Sequence, residues 1–146
     1  MTSRAEAITA AVHAALTSPA MTSVPAARVF RDLDSALSSA DWPAVLIETG
    51  NEATPAMVLI GRKFRAVEVH VTSMAAAGAA SAMTQADAAY VESFGRVLAD
   101  RTLGGLAFDV TEGPTSRSSE AYGERIAAIR KIYVVEYETT DTSLEA

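Results

Sequence analysis

Apolar positions recur along this chain at two periods, and the switches between them mark out its elements. From Ala5 to Leu16 they fall three and four residues apart, at Ala5, Ile8, Val12, Ala15 and Leu16. That spacing predicts a helix over about Arg4 to Thr17, ended before Pro19. Ser3-Arg4-Ala5-Glu6 has the serine and glutamate of a capping box at its start. Between Phe64 and Thr72 the period is two: Val67, Val69 and Val71 point one way, Glu68, His70 and Thr72 the other. A strand with one buried and one wet face follows. Thr84-Gln85-Ala86-Asp87 opens a second helix, striped by Tyr90, Val91, Phe94, Val97 and Leu98. It stops at Leu103-Gly104-Gly105. Alternation then resumes, with Leu106, Phe108 and Val110 on one side and Ala107, Asp109 and Thr111 on the other. A last strand covers Lys131 to Thr139, with Tyr133, Val135 and Tyr137 sharing a face.

Shorter signals fill the gaps. Arg28-Val29-Phe30-Arg31 reads as a short strand. Pro43 leads an inner strand to Glu48, in which Val45, Leu46 and Ile47 are apolar on both faces. Gly50 begins a loop through Pro55. Met57 to Ile60 turns at Gly61-Arg62-Lys63 into the long alternating strand, an antiparallel hairpin. The alanine-rich stretch Ala75 to Ala82, with Gly78 in its middle, reads as a loop. Glu112 to Arg125 is polar and glycine-containing, and reads as a mobile loop or an inter-subunit contact, because unstructured stretches of this length are usually functional or mobile. The tail from Thr140 to Ala146 is polar and acidic. The resulting fold class is α+β: one domain over residues 1–146, a two-layer sandwich with a mixed or antiparallel sheet and two main helices packed on one face.

Composition sharpens this outline. A chain of 146 residues suits a single core. Aromatics make up only 6% of it, so Trp42, Phe30, Phe64, Phe94, Phe108 and the four tyrosines are expected to anchor that core. With no cysteine there is no disulfide framework, thiolate metal site or thiol nucleophile. The net charge of −6 argues against a sequence-reading nucleic-acid binder, which would show a basic face. No apolar window is long enough for a transmembrane helix, and polar residues interrupt the N-terminal apolar run, so no signal peptide is read and the protein is expected to stay in the cytoplasm that makes it or to be assembled there.

Candidate chemistry is sparse. His13 and His70 are isolated, and Asp32 and Asp34 read as turn and cap residues, Asp34 opening a short helical turn through Leu37. Gly113 lacks the Gly-Lys-Ser/Thr ending of a phosphate loop. No catalytic, cofactor-binding or metal-ligating residue is assigned, and a small enzyme is the weakest reading. Arg62, Lys63 and Arg65 form the densest basic cluster. Together with Arg117 and Arg125 they are the candidate inter-subunit or partner contacts.

The order of these elements carries a resemblance. An N-terminal helix, Arg28-Val29-Phe30-Arg31, the proline-led strand Pro43 to Glu48 and the valine-alternating strand come first. A helix ending in Leu103-Gly104-Gly105, an alternating strand, a polar loop and a terminal Tyr/Val strand closing on Tyr137-Glu138-Thr139-Thr140 follow. Over nearly its whole length the chain resembles the tail terminator proteins of long-tailed bacteriophages and phage-like particles, the group that includes the minor tail protein U of lambda-like phages. The resemblance implies a structural virion protein without enzymatic activity or cofactor, made in the host cytoplasm and placed at the head-proximal end of the tail. It implies a hexameric ring that caps the tail tube protein, stops elongation, joins head–tail connector or neck proteins, and lets DNA pass without sequence-specific binding. Two alternatives stay open: another neck or tail-completion protein of similar fold, and a cytoplasmic dimeric domain that binds a ligand on its open sheet face.

Overall fold

A computed structural model describes residues 2–32, 37, 41–53, 56–78, 80–122, 124–140 and 142–145. Helix α1 (Arg4–Thr17) is followed by β1 (Val29–Arg31), β2 (Ala44–Glu52), β3 (Ala56–Leu59), β4 (Arg62–Ala76), α2 (Ala82–Ala99), β5 (Asp109–Tyr122) and β6 (Glu124–Thr140). Five strands lie in the order β1-β2-β4-β6-β5, and β3 pairs with the start of β4. Only β1 and β2 run parallel; every other pair is antiparallel. The fold is the expected α+β sandwich, a mixed sheet with both helices on one face.

The packing explains this layering. Ile8, Val12 and Leu16 of α1 and Ala89 and Val97 of α2 meet Val45 and Ile47 of β2, Val67, Val69 and Val71 of β4, and Tyr133, Val135 and Tyr137 of β6. The α1 cap forms as read, with the Glu6 amide donating to Ser3 Oγ at 3.1 Å. The glutamate does not close the box in return; its carboxylate pairs with Arg31, tying the helix start to β1. A smaller cluster of Ala75, Ala82, Ala86, Ala127 and Ile129 lies under the start of α2. Small side chains there let the helix backbone approach the sheet. That is why Ala82, Ala86, Ala89 and Ser93 are buried while Val91, expected in the stripe, is exposed.

Several expected boundaries move. α2 starts at Ala82, two residues before Thr84, and Ser81 Oγ accepts from the Thr84 amide at 3.2 Å. β4 runs on to Ala76, because β6 supplies partners as far as Ile126, so the first two residues of the expected alanine loop are strand. β2 continues to Glu52 through an irregular step after Thr49 in place of a loop from Gly50. After α2 the chain makes a turn before β5, and the expected alternation from Leu106 fails: Ala107 is buried and Phe108 exposed. Asp100 builds this turn, accepting from the Thr102 amide and hydroxyl and from the Gly104 amide. Gly104 and Gly105 have φ of 72° and 90°, which only glycine adopts without strain. The short helical turn expected at Asp34 lies outside the described residues.

The largest correction concerns Glu112 to Arg125. These residues do not form a loop; they are most of β5 and the start of β6, a long antiparallel arm paired from Asp109↔Glu136 to Tyr122↔Glu124. Gly113 and Pro114, the signals that suggested a loop, lie in a bulge between Glu112↔Tyr133 and Thr115↔Lys131. A Cβ on Gly113 would lie 2.9 Å from the Ile132 carbonyl oxygen, so only glycine fits. Lys131, buried beneath the bulge, donates from Nζ to Glu112 Oε1, the Gly113 carbonyl and Thr115 Oγ1 at 2.9, 3.0 and 3.1 Å. A polar strand holds here because its backbone bonds to β6 while its other edge faces water.

Candidate interaction site at one end of the sheet

The five candidate contact residues do not form one patch. Arg62, Lys63 and Arg65 sit at the start of β4, opposite Thr140, Thr139 and Tyr137. Arg117 lies opposite Ile129, and Arg125 is near the start of β6. The fourteen-residue step from Arg62 to Ala76 along β4 spans about 45 Å at ~3.3 Å per residue, which puts the two groups at opposite ends of the sheet.

At the distal end, Arg117 is committed within the chain. Its guanidinium donates to Asp87 Oδ1 at 3.1 Å and lies over the Tyr90 ring, pinning the arm to α2. Arg125 is exposed, and its carbonyl accepts from the Ala77 amide at 3.1 Å. At the proximal end Arg62 pairs with Glu138 at 3.0 Å. Arg65 Nε donates to the buried Thr139 hydroxyl at 2.7 Å. Among the described residues Lys63 has no ion-pair partner, unlike Arg62.

Sequence reasoning missed what surrounds these cations. Ile60, at the turn between β3 and β4, is 99% exposed. Phe64 and Phe108, expected in the core, are 38% and 54% exposed and touch each other edge to face with centroids 5.0 Å apart. For Phe64 the alternation itself held the signal. Phe64 continues the polar-side parity of Glu68 and His70, so it projects from the face that neither helix covers. With Ala53, Arg65, Ala66, Glu136 and Tyr137, the two phenylalanines line an open cavity of about 430 Å³. The Glu136 carboxylate on its rim is exposed and has no partner among the described residues. Behind it, Tyr137 donates to Glu52 Oε1 at 3.0 Å; burial, reinforced by that carboxylate, pushes the phenol up to about 12.

The isolated histidines have local partners. His13 Nε2 lies 3.2 Å from the Val29 carbonyl oxygen, and His70 Nε2 lies 3.1 Å from Glu68 Oε2. Among the described residues no three His, Cys, Asp or Glu side chains are grouped to hold a metal, and no helix is long and apolar enough to cross a membrane. Chemically, the proximal end offers an apolar cavity, an exposed aliphatic side chain, an uncommitted cation and an uncommitted carboxylate. That set suits docking of another surface. Neither a protein-family model nor a curated protein matches the sequence.

Proposed function

We propose that this chain is a structural virion protein of the tail-terminator kind. It closes into a ring on the last ring of tail-tube subunits, stops tube growth, and presents the head-side neck proteins with a surface around a passage for DNA. The observation that carries this reading is the proximal end of the sheet, where Ile60, Phe64 and Phe108 are exposed beside Arg62 and Lys63 on a chain of net charge −6. Exposed apolar groups rimmed by charge mark a contact surface. A ring needs two different complementary surfaces on one subunit, and this end offers a projecting turn and a cavity. The acidic balance suits a lumen that repels DNA and lets it slide. The order of elements named for the resemblance supports the same reading.

The test is assembly. Purified protein mixed with tail tubes is expected to give rings, or caps at one tube end, in negative-stain images. Charge reversal at Arg62→Glu and Lys63→Glu should block capping while circular dichroism and melting stay those of the folded domain. Normal capping by the double variant would remove this surface from the reading. Tubes that stay uncapped by the unaltered protein would remove the reading itself.

The cavity favours a second reading, a domain that binds a small apolar ligand against Phe64 and Phe108. Its volume, about 430 Å³, lies within the usual range for such sites. That reading expects a rise in melting temperature with small aromatic compounds that Phe108→Ala abolishes.

A further inference from the structure

We infer that the cavity lined by Phe64 and Phe108 receives Ile60 from a second copy of this chain. The inference rests on the self-assembly part of the proposed function and names the contact that would make it. Among the described residues Ile60 is the most exposed large apolar side chain, at 99%, and it is not on a ragged terminus. It sits at the turn of a paired hairpin beside Gly61, whose φ of 86° makes the sharp reversal. A Cβ added at Gly61 would meet nothing within 4 Å, so the turn projects into open space. A hairpin turn that offers an isoleucine to water gains nothing in the free subunit. Covering it removes that apolar surface from water, which is favourable, and the two phenylalanines supply an apolar wall for it.

The charges agree with this docking. Among the described residues Lys63, next to the turn, has no ion pair, and neither has Glu136 on the cavity rim. Seating one copy's turn in another's cavity brings this cation towards this carboxylate. Arg62 is already held by Glu138 of its own chain, so it adds positive field without needing a new partner. Turn and cavity are different surfaces, so the contact is heterologous, and repetition of one such contact closes a ring when the rotation between copies allows it.

A copy cannot satisfy its own cavity. Ala53 lines it and donates its amide to Ala66, four residues along β4 from Arg62, where the strand leaves the turn that carries Ile60. Four extended residues span about 13 Å at ~3.3 Å each, beyond the ~7 Å limit for a disulfide. The chain has no cysteine of its own, so engineered pairs report cleanly. The experiment mixes Ile60→Cys with Ala53→Cys under mild oxidation and follows covalent dimer on a non-reducing gel. The control mixes Ile60→Cys with Val91→Cys, on the exposed side of α2. The 60–53 mixture is expected to cross-link about tenfold faster than the control, because seating raises the local thiol concentration. The double variant, carrying both cysteines on one chain, should give a ladder of higher oligomers. Equal rates in the two mixtures would overturn the inference. Rings on tubes with equal rates would leave the terminator reading standing and this contact wrong. Fast 60–53 cross-linking by a protein that ignores tubes would do the reverse. Loss of fast cross-linking in the presence of a small aromatic ligand would support the cavity as the seat.

Discussion

The two faces of β4 and β6 are made by alternate residues of the same strands, yet they obey different rules. The helix-covered face holds Val67, Val69 and Val71 opposite Val135, Tyr133 and Lys131. All six are buried, including the lysine, whose three oxygen partners satisfy its charge. The other face holds Glu68, His70 and Thr72 opposite Val134, Ile132 and Arg130. Here β4 is polar, but β6 still presents isoleucine and valine, half-buried with no described helix above them. The covered face is specified by packing. The open face mixes charge with residual apolar surface, the composition of a surface that meets partners part of the time.

The sharpest way to break this comparison is to remove a large side chain from the covered face. Tyr133 is fully buried, its phenol raised by burial above the usual range. Tyr133→Ala should cost about 3–5 kcal/mol in urea unfolding, as large aromatic truncations do. Next comes Lys131→Ala, which leaves the bulge carbonyl and hydroxyl without their donor. Because Glu112 is half-exposed and can turn to water, the expected loss is about 2–3 kcal/mol.

The third prediction uses pH. Glu92 of α2 accepts from the amides and hydroxyls of Thr22 and Ser23, clamping the segment after α1 onto the helix that covers the sheet. Burial pushes its carboxyl up, but those four hydrogen bonds together outweigh burial and bring it from 4.5 down to about 2. A carboxylate depressed in the folded state stabilises above its unfolded pKa and loses that contribution as pH falls through the folded one. The full shift corresponds to about 3 kcal/mol; discounted for solvent screening at this partly solvated site, Glu92→Gln should cost about 2 kcal/mol at pH 7. The gap between variant and parent should shrink from about pH 4.5 and close near pH 2. A gap independent of pH would mean that the clamp is not made by the ionised carboxylate.

The smallest expected effect is on the open face. Ile132→Ala should cost about 1 kcal/mol or less in the isolated chain, since its side chain is only half-buried. A loss comparable to that of Tyr133→Ala, or one that grows with protein concentration, would show this face to be covered by another copy in solution.

Much of the fold was legible because periodicity is a local property. The α1 boundaries, the valine alternation of β4, the β3–β4 hairpin and the shared face of Tyr133, Val135 and Tyr137 follow from spacing alone. The candidate site was half legible: Arg62, Lys63 and Arg65 stood out as a charge cluster, but Ile60, Phe64 and Phe108 did not stand out as exposed. An aromatic residue in a strand reads as core unless the layer above its face is known. Arg117 and Arg125 were grouped with the others by charge, and pairing in the sheet separated them.

By itself, then, the sequence determined the elements with a strong period, the α+β class and the sparsity of chemical motifs. Only the tertiary structure decided that Gly113-Pro114 is a bulge within a long arm, that Lys131 is buried, and that Phe64 and Phe108 wall a cavity at the end that carries Ile60. The physical reason is range. A helix cap or an alternating strand depends on neighbours a few residues away. A bulge, a satisfied buried cation and an uncovered face depend on which distant strand lies alongside, and that is set by the summed packing of the whole sheet.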